Sequence, residues 1–430
     1  MRDEEIILKR RALLVGVDTG EEEDFETSME ELGNLAKACD MEVVGIITQK
    51  LEAVHKALYI GKGKVAETRE FARDMEADLV IFDNALSPSQ MRNLQQELDL
   101  EVMDRTGLIL DIFSERAKTR EAKLQVETAK LQYMLPRLVG LHEALGRQGG
   151  ASGSLSNKGA GEKKIELDRR KIEHRISELR KELEEVSRER ETQRQKRVKS
   201  AIPRVSLVGY TNAGKSTLMN TLVEKFIGDE TKKVFEKDMV FATLETSVRL
   251  IDSGDARPFY LADTVGFIHK LPHGLIKAFR STLDEVKQAD LLLHVVDYSD
   301  EHHKGHIKVT EETLKDMEVL GIPVIYVYNK ADKVMEQLPN VVNDHQIFMS
   351  AKNGQGIEEL LKLICDKLYA DNKEVKFLIP YDKGNVLSYL LEKGKAVSQE
   401  YVAEGVRLVI NCQKRDYEKY KEYIVEEFID

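Results

Sequence analysis

The sequence predicts an α/β protein. An N-terminal parallel α/β domain carries a long antiparallel helical hairpin, a P-loop domain stands at the centre, and a small α+β domain closes the chain. Three observations lead there. Short β-rich runs alternate with helical stretches in two blocks, residues 12–113 and 201–371. Between the blocks, residues 115–199 replace strand signals with a seven-residue leucine spacing. Within the second block, GYTNAGKS lies after an apolar strand-like run and before a helical one.

In the first block, ALLVGVD, EVVGIIT and ADLVIFDNA read as buried strands, and LEVMDR and LILDIF as later ones. EDFETSMEELGNLAKACD and SPSQMRNLQQELD read as helices, the second starting at Ser87-Pro88 as a helix N-terminus should. The hairpin follows. Leu124, Leu131 and Leu138 form its first stripe, with Pro136 expected to kink or end that helix. Ile165, Ile172, Ile176, Leu179, Leu183 and Val186 form the second, along a helix of roughly 55 Å. The tip, residues 146–161, is rich in Gly and Ser and cannot bury a core. In the tail, VKFLIPY and GVRLVINC read as strands, each followed by a helical stretch. The expected divisions are residues 1–114, an N-terminal α/β domain; 115–200, the hairpin; 201–371, the P-loop domain; and 372–430, a small C-terminal domain.

Composition narrows the class. With 430 residues, 42% hydrophobic and 33% charged, the chain suits a soluble multidomain protein. Apolar runs such as ALLVGV and LLLHVV are too short to span a bilayer, and no leader-like segment is read. Cys39, Cys365 and Cys412 lie far apart, which predicts thiols in a reducing cytosol and neither a disulfide scaffold nor zinc. Net charge is −11, yet residues 115–199 hold 22 Lys or Arg against 14 Asp or Glu, so +8 there leaves −19 elsewhere. An acidic chain with one basic segment is a different object from a uniformly acidic one.

Gly209-Tyr210-Thr211-Asn212-Ala213-Gly214-Lys215-Ser216, with Thr217 next, fits the P-loop pattern in full. Backbone N–H groups cradle the phosphates, Lys215 reaches their β and γ oxygens, and Ser216 ligates Mg²⁺. Asn329-Lys330-Ala331-Asp332 supplies the base reader. Guanine presents two adjacent donors that the Asp332 carboxylate accepts, whereas adenine has no such pair. Ser350-Ala351-Lys352 closes the other side of the base. Asp263-Thr264-Val265-Gly266 completes the phosphate end: Asp263 holds magnesium through water and the Gly266 amide bonds the γ-phosphate. Thr243 in FATLE is the candidate third magnesium group, with Thr246 nearby as the alternative. The substrate is therefore GTP.

Phe267 follows Gly266 where many signalling GTPases carry a water-orienting glutamine. A benzyl group cannot hold that water, so hydrolysis should be slow until something outside the domain completes the site. Asn212 offers one route, a potassium ion between the phosphates; the other reading is that it stabilises the loop turn. Thr243, Gly266 and Asn212 are accordingly the catalytic candidates.

Tyr59-Ile60-Gly61-Lys62-Gly63-Lys64, SERAKTREAKLQVETAKLQYMLPRL, GYTNAGKSTLMN, FATLE, DTVGF, NKAD and IPY at 379–381 together resemble the HflX-type GTPases of the translation-factor-related class. The resemblance covers nearly the whole chain. It implies a GTPase that binds the large ribosomal subunit and its rRNA and helps separate stalled or idle ribosomes under stress, with the hairpin loop reaching towards the peptidyl-transferase region. At the tip the chain departs from the family. Lys158-Gly159-Ala160-Gly161-Glu162-Lys163 replaces a segment that commonly carries an arginine and a proline.

A second reading is a GTP-controlled binding module for another partner, with the hairpin as a docking rod. A third gives Gly61-Lys62-Gly63-Lys64 a second nucleotide or RNA, against a surface turn with solvated lysines. His302, His303 and His306 read as solvent-exposed loop residues, since no acidic or cysteine partner has matching spacing. His269 reads as an exposed residue beside the switch. A cytoplasmic monomer is expected, with the membrane surface as an additional location.

Overall fold

The structure is a computed structural model. It describes residues 9–20, 24–148, 155–199, 202–227, 241, 246–252, 257–270, 272, 285–370, 372–393, 395–412 and 414–427. The chain divides into two compact units. One comprises Met1–Lys196, Lys237–Glu245 and Val265–Asp284; the other comprises Arg197–Glu236, Thr246–Thr264 and Glu285–Asp430.

The first unit opens with β1 (Arg11–Asp18), α1 (Phe25–Ala38), β2 (Glu42–Lys50) and α2 (Lys62–Asp74). It continues with β3 (Leu79–Phe82), α3 (Pro88–Leu98), β4 (Glu101–Asp104) and α4 (Arg105–Arg116). The strands form a parallel sheet in the order β2-β1-β3-β4. Ala12 to Val15 and all of β3 are buried, as a strand covered on both faces requires. The Asp24 carboxylate caps α1 at the Thr27 N–H, and Ser87 with Gln90 forms a capping box on α3. After β2 the chain crosses β1 to add β3 on the other side. The crevice at the carboxyl ends of β1 and β3 is thus this sheet's topological switch point.

LILDIF is a helix, not the expected strand. The Asp104 side chain accepts from the Gly107 N–H and starts α4, and Leu108, Ile109, Leu110, Ile112 and Phe113 are all buried within it. A short apolar run has no periodicity to separate the two states, so the cap decides.

The hairpin comprises α5 (Arg120–Gln148) and α6 (Leu155–Lys199). Pro136 does not end α5. Arg137, the next residue, donates from its guanidinium to the Tyr133 carbonyl at 2.7 Å. Arg175 meets Glu127 at 2.8 Å and Arg120 meets Glu182 at 3.5 Å, which fixes the two helices antiparallel. The Gly/Ser-rich tip is shorter than expected, because α5 runs to 148 and α6 starts at 155; residues 149–154 lie outside the described residues.

The second unit holds two sheets. The larger is built from β5 (Arg204–Val208), β6 (Ser247–Ile251), β7 (Phe259–Asp263), β8 (Leu291–Asp297), β9 (Val324–Asn329), β10 (Asn340–Asn343) and β11 (Gln346–Phe348). Its order is β10-β11-β9-β8-β5-β7-β6, parallel except for the antiparallel edges β6 and β10. Helices α7 (Lys215–Phe226), α8 (His303–Asp316) and α9 (Ile357–Leu368) accompany it. Leu207, Leu218, Leu222, Leu293, Val327 and Leu360 form part of one core. The remainder is β12 (Lys373–Ile379), α10 (Gly384–Lys393), β13 (Lys395–Val402), β14 (Gly405–Cys412), α11 (Lys414–Lys419) and β15 (Ile424–Glu427). This split βαββαβ unit forms an antiparallel sheet in the order β13-β14-β12-β15.

No disulfide joins the three cysteines. Among the described residues no helix is long and apolar enough to cross a membrane.

Candidate GTP site

The P-loop leaves β5 at the centre of the larger sheet and enters α7. Gly209 has φ +142°, and a Cβ there would stand 2.2 Å from the Val295 carbonyl oxygen; Gly214 has φ +92°, and its Cβ would stand 2.2 Å from Asn329 Nδ2. Only glycine satisfies both the backbone and the contact at these positions. Between them Asn212 is exposed and left-handed at φ +59°. Ala213 is buried, as is Thr211.

Lys215 lies folded onto its own loop, donating from Nζ to the Gly209 and Tyr210 carbonyls at 3.0 and 2.6 Å. Burial lowers its pKa to about 8; Asp263 opposes that shift and Lys330 adds to it. Ser216 Oγ donates to Asp263 Oδ2 at 2.8 Å. A hydroxyl and a buried carboxylate brought together in this way are hard oxygen donors that fit magnesium. Thr264 is fully buried and donates to the Leu207 carbonyl at 2.6 Å, holding the end of β7 against β5.

Asn329 joins three motifs. Its Nδ2 donates to the Ala213 carbonyl and its Oδ1 accepts from the Ala351 N–H, both at 2.9 Å. Lys330 has φ +57° and reaches the Asn212 carbonyl at 2.8 Å and Asp297 Oδ2 at 2.7 Å. Asp332 is exposed on a short helical turn, where Asn353 Nδ2 donates to it at 3.1 Å. Thr221 Oγ1 donates to the Ala351 carbonyl at 2.9 Å, tying α7 to the Ser350-Ala351-Lys352 loop. Ser350 and Ala351 are buried and Lys352 is exposed. Thr217 occupies the first turn of α7.

The second unit therefore brings together Gly209 to Thr217, Asp263, Thr264, Asn329, Lys330, Asp332 and Ser350 to Lys352. Val265 and Gly266 are buried and belong to the other compact unit, and Thr243 lies outside the described residues. Phe267 is fully buried, which is why a benzyl group is tolerated there.

Some partners were not legible in advance. His306 belongs to α8 rather than an exposed loop, and its ring stacks on Tyr210 of the P-loop with centroids 3.9 Å apart and planes 13° from parallel. His302 is exposed, and His303 Nδ1 lies 2.7 Å from the Asp300 carbonyl. Among the described residues no group of three or more His, Cys, Asp or Glu is arranged to hold a metal ion. His294 on β8 is buried, and burial together with nearby Lys215 pushes its pKa down to about 3, so it is neutral. Gly61 is the N-cap of α2 and Lys62 to Lys64 form its first turn, where Lys64 pairs with Glu67 at 2.8 Å.

A Gly-constrained phosphate loop, a buried lysine, a serine–aspartate pair and an asparagine-tied base loop define a P-loop GTPase. Comparison with known proteins gives the same class and refines it. Residues 26–114 match the family model for a GTP-binding GTPase N-terminal region, residues 116–197 that for a GTP-binding GTPase middle region, and residues 204–330 that for a 50S ribosome-binding GTPase. GTPase HflX of Caldanaerobacter subterraneus subsp. tengcongensis is 43% identical over 97% of this chain and 94% of its own. GTPase HflX of Escherichia coli K12 is 38% identical over 92% of this chain and 91% of its own. Among solved structures, a GTP-binding protein from Sulfolobus solfataricus in complex with GDP is similar at 26% identity, with TM-score 0.42, over 84% of this chain and 99% of that one. The chain belongs to the HflX GTPase family. It binds GTP and hydrolyses it to GDP and phosphate.

Proposed function

We propose that this GTPase turns over slowly alone and faster when its hairpin docks on the large ribosomal subunit, and that the GTP cycle promotes ribosome dissociation or rescue under stress. The observation that carries the reading is the covalent union of a GTP site lacking a water-orienting glutamine with a rod that holds a surplus of eight positive charges. Folded rRNA attracts such a rod through its phosphates. The match of residues 204–330 to a ribosome-binding GTPase model supports the same partner.

In this reading Lys215 and the P-loop amides hold the phosphates; Ser216 and Thr243, with Asp263 through water, would hold Mg²⁺, which would supply charge neutralisation at the phosphates. Gly266 bonds the γ-phosphate and Asp332 reads guanine. Asn212 is the candidate for a potassium ion that adds positive charge beside the phosphates. The four divisions of the chain, 1–114, 115–200, 201–371 and 372–430, serve as basal domain, rod, catalytic domain and C-terminal module. The protein works in the cytoplasm as a monomer.

The test is GTP turnover with and without purified large subunits, in sodium and in potassium. A many-fold rise on adding subunits supports the reading; unchanged turnover overturns it. A GTP-switched rod for a protein partner is the second reading. It is favoured by ion pairs along α6 that neutralise its charge locally, such as Arg169–Glu173 at 2.9 Å and Arg170–Glu166 at 3.1 Å. Pull-down with a non-hydrolysable GTP analogue separates the two by whether rRNA or only protein is retained.

A further inference from the structure

Phe241, two residues before Thr243, and Lys270, four residues after Gly266, belong to a different compact unit from the nucleotide loop. The chain passes from one compact unit to the other between Thr264 and Val265, and Phe241 likewise belongs to the unit of the N-terminal sheet. Among the described residues, Lys270 and Phe241 each make contacts within that unit. Lys270 Nζ bonds the carboxylate of Asp83 and lies 3.2 Å from Asn84 Oδ1. Phe241 stands edge-on to Phe113, with ring centroids 4.6 Å apart and planes at 82°.

Both anchors converge on α4. Asp83 is wholly buried at the carboxyl end of β3, in the topological switch crevice, and also accepts from Ser28 Oγ at 2.8 Å and from Arg105 Nη1 at 2.6 Å. Arg105 is the first residue of α4, is itself buried, and pairs with Glu31 as well. Phe113 lies two turns further along the same helix. α4 packs on α5, and Asp111 of α4 pairs with Lys130 of α5 at 2.8 Å. Thus a helix that leads into the hairpin meets Phe241 directly, through Phe113, and Lys270 by way of Asp83 and Arg105.

The chemistry makes these anchors firm. Asp83, Glu31, Arg105 and Lys270 form a charge-balanced cluster, and withdrawing Lys270 would leave a buried net negative charge. Lys270 and Phe241 each hold a left-handed backbone, φ +55° and +54°. Side-chain-bearing residues adopt it only where their surroundings enforce it. Phe267, Ile268 and Phe241 are all buried in the same unit. Two buried contacts that lead to one helix are what a two-position relay needs.

We propose that α4 is the receiver of nucleotide state, with Lys270–Asp83–Arg105 and Phe241–Phe113 as its two inputs and α5 as its output. The proposal rests on the reading of Gly266 and Thr243 as γ-phosphate sensors. Coupling of this kind is reciprocal: whatever moves the hairpin changes preference between GTP and GDP.

The test uses the full chain, the β,γ-imido analogue of GTP, and GDP. Calorimetry gives the ratio of the two affinities, and hydrogen exchange follows residues 105–135. In the wild type, protection over 105–135 should differ between the two nucleotides. In K270M and in F113A the affinity ratio should shift fivefold or more while GDP affinity stays within twofold, and the difference in protection should disappear. Should F113A not fold, K270M carries the test alone. Equal protection with both nucleotides in the wild type overturns the proposal, as does a K270M ratio within twofold of wild type. G266A distinguishes the two readings. If it levels the affinity ratio while K270M does not alter it, the γ-phosphate reading stands and the relay through α4 is wrong. If G266A leaves the ratio intact, the reading of Gly266 fails and the relay fails with it.

Discussion

At the scale of residues, Lys215 sets the pH response. Its ordinary value of 10.5 falls to about 8 because the ammonium is buried before any phosphate meets it. Below pH 8 the amine is charged with or without nucleotide, and affinity should not vary through this group. Above pH 8 the empty site loses its proton, which binding must restore, so affinity for GDP should fall by up to tenfold per pH unit. Calorimetry in buffers of different ionisation enthalpy should then show proton uptake on binding. Stability of the nucleotide-free fold runs the other way. The unfolded chain keeps this proton up to about 10.5, so stability should rise between pH 8 and 10.5.

Two further residues give sharp outcomes. Asn329→Ala removes the partners of the Ala213 carbonyl and the Ala351 N–H at once. Two buried groups left unmade cost about 1–3 kcal/mol each, so both the melting temperature and GDP affinity should drop. Asp332→Asn should weaken GTP and favour xanthosine triphosphate, because xanthine presents an acceptor where guanine has its amino group. Unchanged preference in competition binding would remove Asp332 from the base-reading role.

Among the elements, α4 shows what a sequence reveals and what it withholds. The P-loop was legible because its geometry is written locally: Gly209 and Gly214 must be glycine for backbone reasons, and Lys215 and Ser216 follow at fixed offsets. Ser87-Pro88 announced α3 for the same local reason. LILDIF had no such signal, since its state is decided by the Asp104 carboxylate. That carboxylate accepts from the Leu86 and Gly107 N–H groups, the Tyr133 hydroxyl and Arg137. Three of those partners are remote in the chain or on another element. The Tyr210–His306 stack and the Lys330–Asp297 pair were hidden in the same way, each joining residues that meet only once the sheet has formed. β13 and β15 were missed because exposed edge strands carry little apolar alternation; Val397, Tyr401 and Val425 are all exposed. Asp104→Ala therefore tests an element rather than a side chain. Losing the α4 cap and leaving Arg137 without its carboxylate should destabilise the N-terminal unit by about 3 kcal/mol. The readout is the urea midpoint of the transition that exposes Tyr133.

For the whole molecule, the decisive asymmetry is electrostatic. A chain of net charge −11 is repelled by RNA unless the basic stretch 115–199 makes the contact. The ion pairs along α6 and between α5 and α6 reduce that advantage by committing several arginines internally, Arg175 among them. Arg180 and Lys181 are exposed on α6. If the rod binds rRNA phosphates, each cation it neutralises against a phosphate steepens the salt dependence of binding by about one unit of log–log slope. R180E/K181E should then weaken binding to large subunits at all concentrations and flatten the slope of log affinity against log salt by up to about two. GTP turnover without subunits should stay as in the wild type, because neither residue lies in the nucleotide site. Sedimentation with large subunits between 50 and 200 mM potassium chloride, paired with turnover at each salt, measures both. A double variant that keeps the wild-type slope would mean the rod does not meet phosphate through this face, and the protein-partner reading would gain what the ribosome reading lost.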